Sequence, residues 1–522
     1  MSTHSIINAL RDPTCYRHRT GEIRVIETHI SWVVLTGEFA YKIKKPVRLD
    51  FLDFTTLSRR RHFCEEEIRL NRRFAPGLYL GLSRITAGRH GLRVDDEDGT
   101  PVVEYAVKLR QFDSGAELTA LLDDGAADAS LLREFGRELA GVHEAAPRVQ
   151  PGADFGSVET TLDTVRTNLG ELGQQTLPAA ESARVERLRD RMLALGEQLS
   201  DRLAARRRNG FVRECHGDLH AGNVVRLDGR LVAFDCIEFD PALRIIDVAN
   251  DVAFLHMDLC ARDREDLAYT LLDGWLERTG DFGGIEVLRY YAAHRALVRA
   301  KVTAIARASG QHRKPDTSAY LRTADKALQP AAPLLAITIG LSGSGKTWLS
   351  NQLVAQLPCV RIRSDVERKR LVGLAATASS RSLPGAGLYS REFNARTYSH
   401  LLASAAQALR GGYSTLIDAA FLRYEERAAA RRLAAELGTP FVQLLCEAPT
   451  EALRARVQRR SQEARDASEA TLDVLERQLD YFEPPLGDEL AGTVTIDTTA
   501  RDAATRALDA ISRYLGQAAG SR

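Results

Sequence analysis

The chain of 522 residues contains no uncharged apolar run long enough to cross a membrane, so no membrane span and no membrane partner are predicted. Its first 30 residues hold Arg11, Arg17, Arg19 and Glu22 and no apolar core, so no secretory signal is expected. Its seven cysteines form no C-x-x-C pair, which argues against a structural zinc site and for a reducing, cytoplasmic setting. Charge of one sign is also missing. With 71 basic and 70 acidic residues the net charge is +1, so no bulk pull on nucleic acid exists, though a local basic groove remains compatible. Lysine is scarce: of the 71 basic residues only nine are lysine, Lys42, Lys44, Lys45, Lys108, Lys301, Lys314, Lys326, Lys346 and Lys369. A lysine kept against that background marks a place to look for a compact ammonium rather than a planar fork.

What is present reads as two domains of different class. Residues 22–27, 31–35 and 39–45 have strand character, with a turn at Thr36-Gly37-Glu38, and 56–73 carries the apolar spacing of a helix. Further strands are predicted near 82–86, 92–95 and 102–110, then helices, notably 131–144 and 182–208. Strand and hairpin return at 211–235, and helices again from about 243 to 308. This is an α+β, bilobal, protein-kinase-like pattern over 1–307, with an N-lobe at about 20–112 and a C-lobe at about 113–307. Residues 308–333 contain three prolines and are predicted to be a linker with a short helix at its centre. From 334 to 522 apolar strands alternate with helices, which predicts an α/β domain with a parallel sheet.

In that second domain a buried-type strand, 334–339, runs into Gly340-Leu341-Ser342-Gly343-Ser344-Gly345-Lys346-Thr347 and then a helix. This is G-x-x-x-x-G-K-[ST] in its required setting: backbone N–H groups curl around phosphates, Lys346 reaches the β/γ-phosphates of ATP and Thr347 ligates Mg²⁺. The next strand ends in Ser364-Asp365-Val366-Glu367-Arg368, and 415–417 ends in Asp418. A kinase acting on a hydroxyl needs a carboxylate at a strand end in the crevice. Asp365 is the candidate base, Arg368 the substrate-anion clamp and Asp418 a Walker-B-like group near Mg²⁺. Arg456 and Arg460, four apart on one helical face, are either a lid over the phosphates or a solvated face. These motifs resemble the zeta-toxin, chloramphenicol phosphotransferase, gluconate kinase and polynucleotide kinase group of P-loop kinases over about 334–485.

In the first domain Cys215-His216-Gly217-Asp218-Leu219-His220-Ala221-Gly222-Asn223 has the H-x-D-x-x-x-x-N spacing of a kinase catalytic loop. Asp218 would take or orient the acceptor proton and Asn223 would ligate Mg²⁺. Asp228-Gly229 between apolar runs predicts a hairpin that returns Asp235, the second metal carboxylate, beside Asn223. Strand alternation places Ala40 and Lys42 on one face; Lys42 is preferred as the phosphate lysine and Lys44 is the fallback. Its helix partner is Glu67 in preference to the adjacent Glu66.

HGDLHAGN, FDCIEFD and the helix start at Asp247 resemble the aminoglycoside phosphotransferase and choline kinase branch of kinase-like folds, over 22–308. That resemblance makes His216 a scaffold residue and gives Asp247 and Asp251 a part in anchoring the loop or capping a helix. The spacing of Glu238 departs from the branch and leaves its role open. The whole chain resembles bacterial two-domain proteins that fuse an aminoglycoside-phosphotransferase-like domain to a P-loop kinase-like ATPase. The resemblance implies ATP- and Mg²⁺-dependent phosphoryl transfer to small-molecule hydroxyls at two sites. Two other readings stand beside it: a P-loop domain acting on a nucleotide or polynucleotide 5′ end, and one domain regulating the other by binding nucleotide. The sequence leaves protein partners open.

Overall fold

The computed structural model describes residues 3–49, 52–89, 91–95, 101–150, 152–311, 314–329, 332–376, 378, 387–463 and 471–520. The chain divides into two compact units. The smaller contains Met1–Leu131, Val142–Thr160 and Arg207–Leu255; the larger contains Leu132–Gly141, Thr161–Arg206 and His256–Arg522.

The smaller unit is built on an antiparallel sheet in the order Arg24–Glu27, Ser31–Leu35, Phe39–Lys44, Val102–Arg110, Tyr79–Gly88, Gly91–Val94. Its strands alternate, so each face has its own core. Tyr41 and Ile43 pack with Trp32, Val34, Ile85 and the N-terminal helix residues Ile6 and Ile7. The opposite face, with Tyr79 and Val107, receives Cys64 and Ile68 of the helix Leu57–Asn71. That helix is capped by Thr56, which accepts from the Arg59 N–H at 3.3 Å. Its buried stripe Arg60, Cys64, Glu67, Ile68, Asn71 recurs at helical spacing, and so selects which glutamate faces the sheet. The predicted hairpin pairs Val224 with Ala233 through Leu227 with Arg230, and Asp228 has φ of +50° in its turn.

The larger unit contains a five-stranded parallel sheet in the order Cys359–Arg363, Ser414–Asp418, Leu335–Ile339, Phe441–Glu447, Thr493–Asp497. All five residues of the central strand Leu335–Ile339 are buried, as expected of a sheet covered on both faces. Leu349 and Leu353 of the helix Lys346–Val354 and Ala503, Ala507 and Ile511 of the helix Ala503–Gly520 pack on Ala336, Val442 and Leu444. The helix Arg391–Arg410 packs against the strands Cys359–Arg363 and Ser414–Asp418.

Three local expectations were refined. The strand near 82–86 extends over Tyr79–Gly88, with an irregular register between Tyr79 and Gly81. The predicted helix 182–208 is two, Ala179–Gln198 and Ser200–Arg208, separated at Leu199. The centre of the linker segment is the helix Thr317–Leu328, capped by Asp316. It buries Tyr320, Leu321 and Ala324, and the Tyr320 hydroxyl donates to Asp258 at 2.6 Å.

Candidate active sites

In the smaller unit, strand alternation sends Lys42 and Lys44 to the face that carries the helix Leu57–Asn71. Both ammonium groups reach Glu67, each at 2.8 Å. Lys42 also contacts Asp235, and Lys44 contacts Glu238. Lys44 and Glu67 are fully buried, whereas Asp235 is 45% exposed, so the charges run from a sealed end to an open one. Burial alone would raise the Glu67 carboxyl, but Lys42 and Lys44 outweigh it and hold the group at about 2. Burial opposes charge on Lys42 too, and Asp235 and Glu67 overcome it to lift its pKa well above the usual lysine value. The partly exposed neighbour Glu66 pairs instead with Arg69 at 2.9 Å.

The catalytic loop is tied down by backbone donors. The buried Asp251 accepts from the N–H groups of His216 at 3.0 Å and Gly217 at 2.9 Å, and pairs with His143 Nε2 at 3.0 Å. His216 shares a 2.9 Å hydrogen bond with the Phe234 carbonyl through Nε2, and burial pushes its pKa down, favouring the neutral ring. Asp247 accepts from the Ala249 N–H at 2.9 Å at a helix start. The side-chain amide of Asn223 donates to the Asp218 carbonyl at 2.9 Å and to its carboxylate at 3.1 Å. The Asn223 side-chain oxygen is thereby turned away from Asp218. Phe234 N–H donates to the Asn223 carbonyl at 2.9 Å, so the hairpin returns Asp235 as its turn residues predict. Asp235 has φ of +62°, an uncommon backbone conformation for a residue with a side chain, and its N–H donates to Tyr79 Oη at 3.0 Å.

The second site is a cleft of about 1070 Å³ in the larger unit. Ser342, Gly343, Gly345, Lys346, Thr347, Asp365, Arg368, Asp418 and Arg456 all line it. A Cβ on Gly343, where φ is +82°, would lie 2.6 Å from the Leu453 carbonyl oxygen, so the loop's path requires glycine. Lys346 donates to the Gly340 and Leu341 carbonyls, both at 2.8 Å. Asp418 accepts from Ser350 at 2.9 Å. Asp365 is the second residue of the helix Ser364–Arg370, whose cap position is Arg363, and makes no hydrogen bond or ion pair among the described residues. Arg368 is buried and donates to the Leu388 carbonyl and to Asn394, both at 2.6 Å. Arg456 donates to the Gly343 carbonyl at 3.2 Å and to Thr498 at 2.9 Å, bracing the loop as well as lining the cleft. The side chain of Arg460 lies outside the described residues.

Sequence reasoning did not find the full role of Lys44 or the pairing of Glu238, and it missed Asn71. The Asn71 side chain accepts from the Cys236 N–H at 2.9 Å and donates to the Glu67 carbonyl at 2.8 Å, joining the helix to the segment that carries Asp235. The position of Asn71 one helical turn after Glu67 was the available signal. It also missed Arg361, a charged residue in a strand, which forms a buried two-armed pair with Asp273 at 2.9 and 2.8 Å and donates to Ser350 at 3.1 Å.

The antiparallel lobe with its lysine–glutamate pair and catalytic loop is a kinase-like fold, and the parallel sheet with its glycine loop is a P-loop NTPase fold. Comparison agrees: residues 64–295 match the phosphotransferase enzyme family, and residues 335–485 match a family described as an AAA domain. Over 483 residues the chain is 31% identical to the uncharacterized protein Rv2004c of Mycobacterium tuberculosis strain H37Rv, covering 90% of this chain and 93% of that protein. The same figures hold for the uncharacterized protein Mb2027c of Mycobacterium bovis. The chain belongs to the family of these mycobacterial proteins, and in it a phosphotransferase-family domain precedes a P-loop kinase-like domain. Among solved structures it is similar to a Plasmodium vivax ethanolamine kinase, with 10% identity, TM-score 0.37, and coverage of 59% of this chain and 82% of that one. It is also similar to the Mycobacterium tuberculosis APS kinase CysC, with 20% identity, TM-score 0.26, and coverage of 35% of this chain and 99% of that one. Both domains are of phosphotransferase kind and imply ATP binding. Among the described residues no helix is long and apolar enough to cross a membrane.

Proposed function

We propose that the protein is a cytoplasmic, bifunctional kinase with two separate nucleotide sites, each moving the γ-phosphoryl group of ATP to a hydroxyl of a small molecule. The observation that carries this reading is the convergence in the smaller unit of Lys42, Glu67 and Asp235 with Asp218 and Asn223 nearby. Five groups from four separate chain segments meet where phosphate, metal and acceptor are handled in kinases. Lys42, oriented by Glu67, holds ATP phosphate. Asp218 takes the acceptor proton as the acceptor oxygen bonds to the γ-phosphorus; the bond from that phosphorus to the bridging oxygen breaks and ADP departs. In the larger unit the glycine loop and Lys346 hold the phosphates, Asp365 takes the proton and Arg456 steadies the loop.

The donor sets fit Mg²⁺, a hard cation that prefers oxygen ligands. The Asn223 side-chain oxygen, the Asp235 carboxylate, the Thr347 hydroxyl and Asp418 are such oxygens. Bound there, Mg²⁺ would draw negative charge from the β- and γ-phosphates.

The test is an ATP-consumption screen of the full chain against a metabolite library, repeated with Asp218→Asn and with Asp365→Asn. Two acceptors, each lost in one variant only, is the expected result. A single acceptor lost in both variants would overturn two independent sites, and calorimetry showing one ATP-analogue equivalent in active protein would do the same.

A further inference from the structure

The P-loop cleft carries far more positive charge than a nucleotide loop uses. Among the described residues it is lined by nine arginines and Lys346 against four carboxylates. Its volume of about 1070 Å³ lies just above the usual range of ligand pockets, roughly 300–1,000 Å³, which leaves room for an acceptor beside a nucleotide. The cations divide by position. Lys346 belongs to the glycine loop, and Arg456, on the helix Thr450–Glu463, braces that loop through the Gly343 carbonyl. Arg391 lies instead at the start of the helix Arg391–Arg410, which also supplies Asn394 and Tyr398 to the lining.

Arg391 is exposed and makes no hydrogen bond or ion pair among the described residues. The sequence from Arg368 to Arg391 contains no aspartate or glutamate, so that stretch supplies no carboxylate to neutralise it. Asp365 lines the same cleft and likewise makes no hydrogen bond or ion pair among the described residues.

A second source of charge comes from far away in the sequence. Arg133 and Arg137 of the helix Ala129–Ala145 line the same cleft, and both belong to the larger unit. That helix is held at close range by Glu265–Thr279: a Cβ on Gly136 would meet the Leu271 carbonyl oxygen at 2.2 Å, and one on Gly274 would meet that of Arg133 at 2.1 Å. The Arg361–Asp273 pair then locks the helix Glu265–Thr279 to the parallel sheet. Arg133 is largely consumed in this wall, donating to Asn351 at 2.9 Å and pairing with Asp273 at 3.2 Å. Arg137 stays 36% exposed while it pairs with Glu277 at 2.9 Å. It is held in place and still open to the cleft.

We infer that the P-loop cleft takes an acceptor carrying its own phosphate or comparable anionic group beside the reacting hydroxyl, and that Arg391 and Arg137 seat that anion. This rests on the reading of the P-loop domain as a kinase, and deepens it: residues 64–295, the phosphotransferase-family segment, would supply part of the acceptor site of the other domain. Arginine suits the task because its planar fork matches a phosphate with paired hydrogen bonds.

The test uses the full chain saturated with a non-hydrolysable ATP analogue and methyl phosphate as the probe, followed by ³¹P line broadening. Broadening is expected with nucleotide bound, reduced at least fivefold by Arg391→Ala and by Arg137→Ala, with analogue affinity within twofold of the parent. Arg391 is exposed, so its variant is informative even where Arg137→Ala disturbs the wall. Broadening that vanishes on adding the analogue would show that the arginines serve the nucleotide alone and would overturn the inference. Broadening untouched by either substitution would overturn it too, as would tight binding of a 5′-hydroxyl oligonucleotide with none of methyl phosphate. Failure of the kinase reading looks different: Lys346→Ala would then leave the number of bound analogue equivalents unchanged.

Discussion

The two candidate sites handle positive charge in opposite ways. In the smaller unit Lys42 and Lys44 are matched by Glu67, Asp235 and Glu238 in a network that is buried at one end. In the larger unit Lys346 rests on backbone carbonyls, and the surrounding arginines outnumber the carboxylates. A buried, self-paired network ties binding chemistry to fold stability, because removing one partner strands another in a low dielectric. A loop of backbone donors with an open cationic cleft separates the two. Substitutions that look equivalent in the two sites should therefore give different phenotypes.

The largest effects are expected in turnover, where both sites should behave alike. Asp218→Asn and Asp365→Asn remove the proposed proton acceptors, and loss of a general base costs about two to four orders of magnitude in rate. Each loss should be confined to its own acceptor, with ATP affinity kept, as read by steady-state rates beside calorimetry. Near-normal turnover in Asp218→Asn with a confirmed acceptor would remove it from the mechanism.

The sites should diverge next on stability. Lys44→Met leaves Glu67 and Glu238 short of a buried cation and should lower stability by about 3–5 kcal/mol. Lys346→Ala takes a donor from the Gly340 and Leu341 carbonyls and the Ser344 hydroxyl beside an open cleft, contacts whose loss strands no buried carboxylate, so it should weaken nucleotide binding while shifting stability by about 1 kcal/mol or less. Urea midpoints that move equally in the two variants would erase the contrast.

Acid should separate the units as well. Glu67 is held at about 2, below its ordinary 4.5, so its stabilising share is complete above pH 4.5 and is lost as pH falls through 4.5 toward 2. In the larger unit burial lowers His256 from 6.5 to about 4, and His294 further still. A histidine kept neutral by the fold contributes fully above pH 6.5 and loses that share as pH falls toward 4, by about 3 kcal/mol for His256. Burial also pushes His18 and His216 of the smaller unit down, but His256 and His294 are displaced far enough that the larger unit should show the greater loss between pH 6.5 and 4. Trp32 lies in the smaller unit and Trp275 in the larger, so single-tryptophan variants followed by fluorescence would report each separately. A smaller-unit transition at the higher pH would reverse the assignment.

Local chemistry was the legible part of this chain. The glycine loop, the HGD loop and the Asp228-Gly229 turn each declare themselves within ten residues, because backbone conformation and ligand type are decided by neighbours in sequence. Period-2 alternation correctly aimed Lys42 toward the helix, and the same alternation aimed Lys44 there as well. What stayed hidden is long-range. Nothing near Arg361 announces Asp273, 88 residues away, and nothing near Arg137 announces that it lines the P-loop cleft. Glu238 was left without a role because its spacing departs from the family pattern, although a buried lysine two residues beyond Lys42 required a second carboxylate. The packed helix Thr317–Leu328 was visible only as a short amphipathic stripe in a proline-flanked segment.

The smallest expected effect tests how sharply the helix stripe discriminates. Glu66 and Glu67 are adjacent and chemically alike, but a helix turns about 100° per residue, and only Glu67 falls on the buried stripe. Glu66 reaches Arg69 at 2.9 Å and Arg244 at 3.9 Å at a partly exposed position. Ion pairs of that kind contribute about 0–1 kcal/mol. Glu66→Gln should therefore leave nucleotide affinity unchanged and shift stability by less than about 1 kcal/mol. Glu67→Gln keeps the shape but takes the anion from between Lys42 and Lys44, so the phosphate lysine loses its orienting partner and the repulsion between the two ammonium groups is left to Asp235 and Glu238 to offset. Nucleotide affinity in the smaller unit should fall, and the urea midpoint with it. Because the two variants differ from the parent by the same single charge, any bulk electrostatic effect cancels between them. Equal losses in both would mean that Lys42 is not positioned by Glu67, and the kinase-like reading of this lysine would have to move to another carboxylate.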